Sequence, residues 1–183
     1  MCDVGGNLVN SGTLDADAGR AGQAGGAIVL KGDALTDLTD TSKITATGNG
    51  ADGGQLEISG ETLSVRGSAK LGKGGNMLLD PNKVEIVAGS GSSGYGQGTG
   101  AGANKGIGLT FIQNFLNGGG NVLISAHSAI SHSVNATKIT ATGTGNLFFT
   151  VGTAGHIELS GLTINIAGNL NATGASADRK SVV

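Results

Sequence analysis

Three histidines, His127, His132 and His156, are the side chains in this chain best suited to metal chemistry. His127 and His132 stand five residues apart and can meet on one face of a strand-rich structure. A metal centre also needs a third ligand and partners behind the ligands. A second cluster, Asp33, Asp37 and Asp40, surrounds Ala34, Leu35 and Leu38. Its carboxylates, with backbone carbonyls, are the donor set a Ca²⁺ ion takes. Gly48-Asn49-Gly50-Ala51-Asp52 matches half of a calcium nonapeptide repeat. That motif draws its ligands from consecutive copies, and here it occurs once. Acid–base work on a polysaccharide needs carboxylates, or a Ca²⁺–arginine pair, converging on one face. Glu57, Glu85 and Glu158 each alternate with apolar residues and so point outward singly, and nothing draws Arg20 or Arg66 toward them. No strand–turn–helix elbow frames a serine nucleophile. The Gly-rich run from Gly94 to Gly106 lacks the Lys-Ser/Thr pair and the following long helix of a phosphate-binding loop; it reads as a flexible loop carrying Tyr95 and Lys105. All these residues read more simply as solvated strand and loop positions. No catalytic, cofactor-binding or metal-ligating residue is assigned, no cofactor is expected, and the chain is not read as an enzyme.

The elements that would position these residues are short. Of 183 residues, 36 are glycine, with one proline, one cysteine, no tryptophan and five aromatics. That excludes collagen, which needs Gly at every third position and abundant Pro, and a disulfide framework, because Cys2 is alone. An apolar content of 38% against 13% charged argues against disorder throughout. The net charge of −2 shows no basic run for nucleic acid, and no apolar run reaches the ~18 residues of a membrane span.

Internal repeats come next. Gly-Asn-apolar occurs at Gly6-Asn7-Leu8, Gly75-Asn76-Met77, Gly120-Asn121-Val122, Gly145-Asn146-Leu147 and Gly168-Asn169-Leu170. Gly25-Gly26-Ala27-Ile28 and Gly53-Gly54-Gln55-Leu56 are close relatives. Lys43-Ile44-Thr45-Ala46-Thr47-Gly48 recurs literally as Lys138-Ile139-Thr140-Ala141-Thr142-Gly143. Each marker opens an alternation such as Leu56-Glu57-Ile58-Ser59 or Ile157-Glu158-Leu159-Ser160, the period of a strand with one buried face. One short helix is expected near 109–117, stopped by Asn117-Gly118-Gly119. A spacing of roughly 20–28 residues with short strands predicts an all-β chain stacked as a parallel β-helix. In it glycine would supply positive φ at the corners, stacked Asn side chains would form ladders, and the thin core would lack aromatics. Residues 1–177 are taken as a single segment with a flexible insertion at 89–106.

The ordered elements resemble a known family. Gly53-Gly54-Gln55-Leu56-Glu57-Ile58-Ser59-Gly60, then Gly74-Gly75-Asn76-Met77-Leu78-Leu79-Asp80-Pro81 and Val84-Glu85-Ile86, are similar to successive elements of filamentous haemagglutinin-like exoproteins. Thr110 to Gly118 followed by Asn121-Val122-Leu123-Ile124 resembles that family's short helix and following strand. The resemblance implies a right-handed parallel β-helix (a β-solenoid) with one short helical insertion. It also implies a stalk segment of a large adhesin, secreted to the cell surface of a Gram-negative bacterium by two-partner secretion and acting in cell adhesion or biofilm formation. The implied partners are an outer-membrane transporter, acting through a secretion domain this stretch lacks, and a surface receptor or glycan. The alternatives are the stalk of a contact-dependent toxin and a polysaccharide-active β-helix enzyme. Asp178-Arg179-Lys180-Ser181-Val182-Val183 breaks the pattern and can be encoded by a common sequencing-adapter sequence, so 178–183 are set aside from fold reasoning.

Overall fold

The structure, a computed structural model, describes residues 1–89, 106–133, 136, 138–174 and 176–177. Most of the expected insertion at 89–106, with Tyr95 and Lys105, lies outside the described residues, as does the tail at 178–183. The chain opens with β1 (Cys2–Val4), β2 (Asn7–Asn10), β3 (Thr13–Asp15), β4 (Ala27–Leu38) and β5 (Lys43–Thr45). It continues through β6 (Gln55–Val65), β7 (Ser68–Lys70), β8 (Asn76–Pro81), β9 (Lys83–Val87) and β10 (Gly106–Gly108). The helix α1 (Leu109–Asn117) follows, then β11 (Asn121–Ala126), β12 (Ala129–His132), β13 (Lys138–Ala141) and β14 (Leu147–Val151). The last strands are β15 (His156–Glu158), β16 (Thr163–Ile166), β17 (Leu170–Thr173) and β18 (Ser176–Ala177).

Thirteen of these strands form one sheet, with the path β17-β14-β11-β8-β6-β10-β9-β12-β15-β18, to which β4 joins β1 and β2. Two small sheets, β3-β5-β7 and β13-β16, lie outside it. The two copies of the Lys-Ile-Thr-Ala-Thr-Gly repeat place their strands, β5 and β13, one in each small sheet. Pairing between the named strands is parallel, for example Ile28↔Leu56, Leu56↔Met77 and Met77↔Val122.

The expected right-handed parallel β-helix, with separate strand faces and glycine corners, is corrected here. Among the described residues the domain is all-β with one helix, and its main sheet is a nearly closed parallel barrel. The cause lies in β4 and β6, of 12 and 11 residues, which run unbroken through positions expected to be corners. The N-terminal half of β6 pairs with β8, and its end reaches β10 through Val65↔Ile107. The two arms of strands therefore join into one sheet that curls around a shared core. An extended stalk is corrected with it: a compact barrel-like domain is not a thin rod, so the adhesin-stalk and toxin-stalk readings fall, and the polysaccharide-active alternative loses its β-helix scaffold.

The bend is made by close approach rather than by positive φ. The register slips between Gly32 and Leu35. A Cβ on Gly32 would lie 2.4 Å from the Leu35 carbonyl oxygen, and one on Gly60 would lie 2.6 Å from that of Gly32. Only glycine fits where two backbones meet this closely. Thr36, fully buried, fastens the bend. Its hydroxyl accepts from the Gly32 N–H at 2.9 Å and donates to the Ser59 carbonyl at 2.6 Å.

One continuous core fills the barrel, from Leu8 and Leu30 through Ile58, Leu79 and Ile124 to Ile164. It is not free of aromatics: Phe111, Phe115 and Phe149 are buried in it. Helix α1 contributes Phe111, Ile112, Phe115 and Leu116 to this core. Full burial of each such side chain contributes about 1.5–3 kcal/mol. Among the described residues, no helix is long and apolar enough to cross a membrane.

Candidate functional site: an amide ladder beside an apolar stripe

Alternation along β8 buries Met77 and Leu79 and turns Asn76, Leu78 and Asp80 outward. The same register repeats on the strands alongside. Outward positions therefore line up across the sheet in columns at the strand spacing of about 4.8 Å. One column reads Val29, Glu57, Leu78, Leu123, Phe148 and Asn171. Four of its six members are apolar, on a face that a half-buried sheet normally gives to polar residues.

A column of amides runs beside this stripe. Asn121 donates from Nδ2 to Asn76 Oδ1 at 3.0 Å, Asn146 to Asn121 Oδ1 at 2.7 Å and Asn169 to Asn146 Oδ1 at 3.0 Å. The backbone N–H groups of Asn146 and Asn169 donate to the same two oxygens. The ladder thus spends its carbonyl oxygens internally, and each amide retains one N–H for a ligand. Ladder and stripe line an open groove of about 560 Å³ with Glu57, Asn76, Leu78, Asn121, Leu123 and Phe148 among its walls. Among the described residues of that lining, Glu57 is the one ionisable side chain; its carboxylate accepts from the Ser59 hydroxyl at 2.7 Å.

Asp80 stands at the groove's rim, opposite Ser59 in register. Its side chain reaches solvent, yet its carboxyl is held above the usual carboxylate range. Desolvation by the surrounding sheet is the main cause and the Glu57 charge the second, while His127 acts the other way. The rim accordingly takes up protons more readily than an isolated carboxylate.

The residues singled out for chemistry in the sequence are dispersed. Among the described residues, no group of three His, Cys, Asp or Glu side chains could hold a metal ion. His127 lies by Asp80, His156 is exposed at the start of β15, and the His132 ring is bound to backbone carbonyls. Asp33 and Asp40 are exposed, whereas Asp37 is buried and binds Arg66 Nη2 through both carboxylate oxygens at 3.0 Å. Glu85 and Glu158 both face Ser131, on the opposite arm of the sheet from Glu57.

The apolar stripe escaped the sequence reading, although a signal for it exists. Met77-Leu78-Leu79, Val122-Leu123-Ile124 and Leu147-Phe148-Phe149 each place three apolar residues in a row. In a period-two strand the middle one must face outward. Comparison of this chain with protein-family models, with curated proteins and with solved structures finds no match. The resemblance to haemagglutinin-like exoproteins therefore rests on its motifs alone.

Proposed function

We propose that this protein is a non-catalytic binding module whose groove takes an extended, uncharged sugar chain. The observation that carries the reading is the pairing of an apolar stripe with a row of free amide N–H donors at a common spacing. A sugar ring has an apolar C–H face and a rim of hydroxyl acceptors. Laid along the stacking direction, its C–H faces cover Leu78, Leu123 and Phe148 while its hydroxyls accept from Asn76, Asn121 and Asn146. Sites of this kind are largely preformed and apolar, with a few placed polar groups fixing orientation. The lone Glu57 charge in the lining disfavours polyanionic chains and offers an acceptor to a hydroxyl.

Titration calorimetry with neutral and acidic oligosaccharides tests this reading. Saturable binding of at least one neutral oligomer, strengthening with oligomer length, is expected. Equal or stronger binding of acidic oligomers, or no binding of neutral ones at millimolar concentration, overturns it.

A further inference from the structure

His132 ends β12, and both of its ring nitrogens face carbonyl oxygens. Nδ1 lies 2.9 Å from the Ser133 oxygen and 3.0 Å from that of Ala136. Nε2 lies 2.7 Å from the Ser160 oxygen. Carbonyl oxygens only accept, and a neutral imidazole carries a single N–H. In the neutral ring one nitrogen lone pair would therefore point at a carbonyl lone pair. The doubly protonated ring donates on both sides.

The three oxygens belong to two different connections between strands. Ser133 and Ala136 lie between β12 and β13, where the Ala136 N–H donates to the Ser133 carbonyl at 2.9 Å. Ser160 lies between β15 and β16, where the Leu162 N–H donates to the Leu159 carbonyl at 3.0 Å and Gly161 takes φ +89°. Both connections lead into the small sheet β13-β16, which helix α1 packs against through β13. The titratable groups on the neighbouring strands sit elsewhere. Lys83 of β9 and His156 of β15 are opposite Ala129, and Glu85 and Glu158 are opposite Ser131, at positions that alternate to the other face from His132. Lys138 of β13 is exposed. Among these groups, none takes the place of a proton on the ring.

We propose that His132 is a proton-operated clamp. Its imidazolium ties the Ser133 and Ala136 carbonyls, after β12, to the Ser160 carbonyl, after β15, and loss of one proton releases one of the two sides. The consequence is a small sheet, β13-β16, whose attachment to the barrel loosens when the ring gives up a proton as pH rises.

The test uses the intact chain, with nitrogen-15 chemical shifts of the three histidine rings and amide hydrogen exchange. At about pH 5.5, His132 should show two protonated ring nitrogens. Protection of the Leu162 amide or of the Ala136 amide, whichever side is released, corrected for intrinsic rates, should fall about tenfold or more between about pH 5.5 and pH 8. In His132→Gln that pH dependence should vanish. A neutral single tautomer at the lower pH, or protection that does not change with pH in the unmodified chain, overturns the proposal without requiring any variant to fold.

Discussion

Asn146 donates from its side-chain amide to Asn121 Oδ1 at 2.7 Å, and its backbone N–H reaches the same oxygen at 3.2 Å. One carbonyl thus serves two donors from the next strand, while Asn121 passes its own N–H down to Asn76. Replacing Asn121 by Ala strips three hydrogen bonds from a half-exposed position where water can replace them in part. The expected cost is about 1–2 kcal/mol, read as a lower urea midpoint with an unchanged denaturant slope.

The bend at Gly32 and Gly60 depends on the Thr36 hydroxyl. Thr36→Val keeps the shape but leaves the Gly32 N–H and the Ser59 carbonyl without this partner inside the fold. A loss of about 2 kcal/mol is expected from two orphaned buried groups. Thr36→Ser, which keeps the hydroxyl, should retain most of the stability in the same unfolding experiment.

Arg66 and Asp37 form a pair whose side chains are 19% and 11% exposed. Removing one partner should cost far more than removing both, because the survivor is left charged in a poorly hydrated place. Arg66→Met is expected to destabilise by about 3 kcal/mol, with the Asp37→Leu, Arg66→Met double variant recovering most of that. Equal losses in the single and double variants would show that the pair acts only through packing.

The rim carboxylate makes a prediction about pH. Asp80 is harder to ionise in the folded protein than its ordinary value of 3.8 implies. Its ionisation therefore works against folding: nothing is lost below that value, and the penalty builds as pH rises through the window above it. Asp80→Asn should raise the melting temperature at about pH 7 and leave it unchanged at about pH 3. Asp17 has the opposite sign. Hydrogen bonds from the Thr47 backbone N–H and hydroxyl hold its carboxyl below the usual range. The stability it lends is present above the unfolded value and disappears as pH falls through the folded one.

Much of the pairing was legible in the residues. The apolar marker residues at 28, 56, 77, 122, 147 and 170 occupy a single register column. Period two and parallel stacking leave little freedom once the Gly-Asn-apolar triplets are aligned. Leu8, the seventh marker, pairs instead with Thr36, because β4 holds β1 and β2 on its two halves. What local pattern could not reveal is the joining of the two arms. It rests on glycines that look like corners in the sequence but lie inside long strands. The site was half visible: the Asn ladder follows from the triplets, whereas the outward stripe needed the runs of three apolar residues to be read as a break in alternation.

The central claim is that the groove binds an uncharged sugar chain against Leu123 and Phe148. The most direct measurement is calorimetric titration of the best neutral oligosaccharide into the unmodified protein and into Leu123→Asp, with thermal unfolding of both as a control. Binding in the unmodified protein that weakens at least about tenfold in the variant, with little change in melting temperature, is the predicted result. Identical affinity in two equally folded proteins would contradict the account.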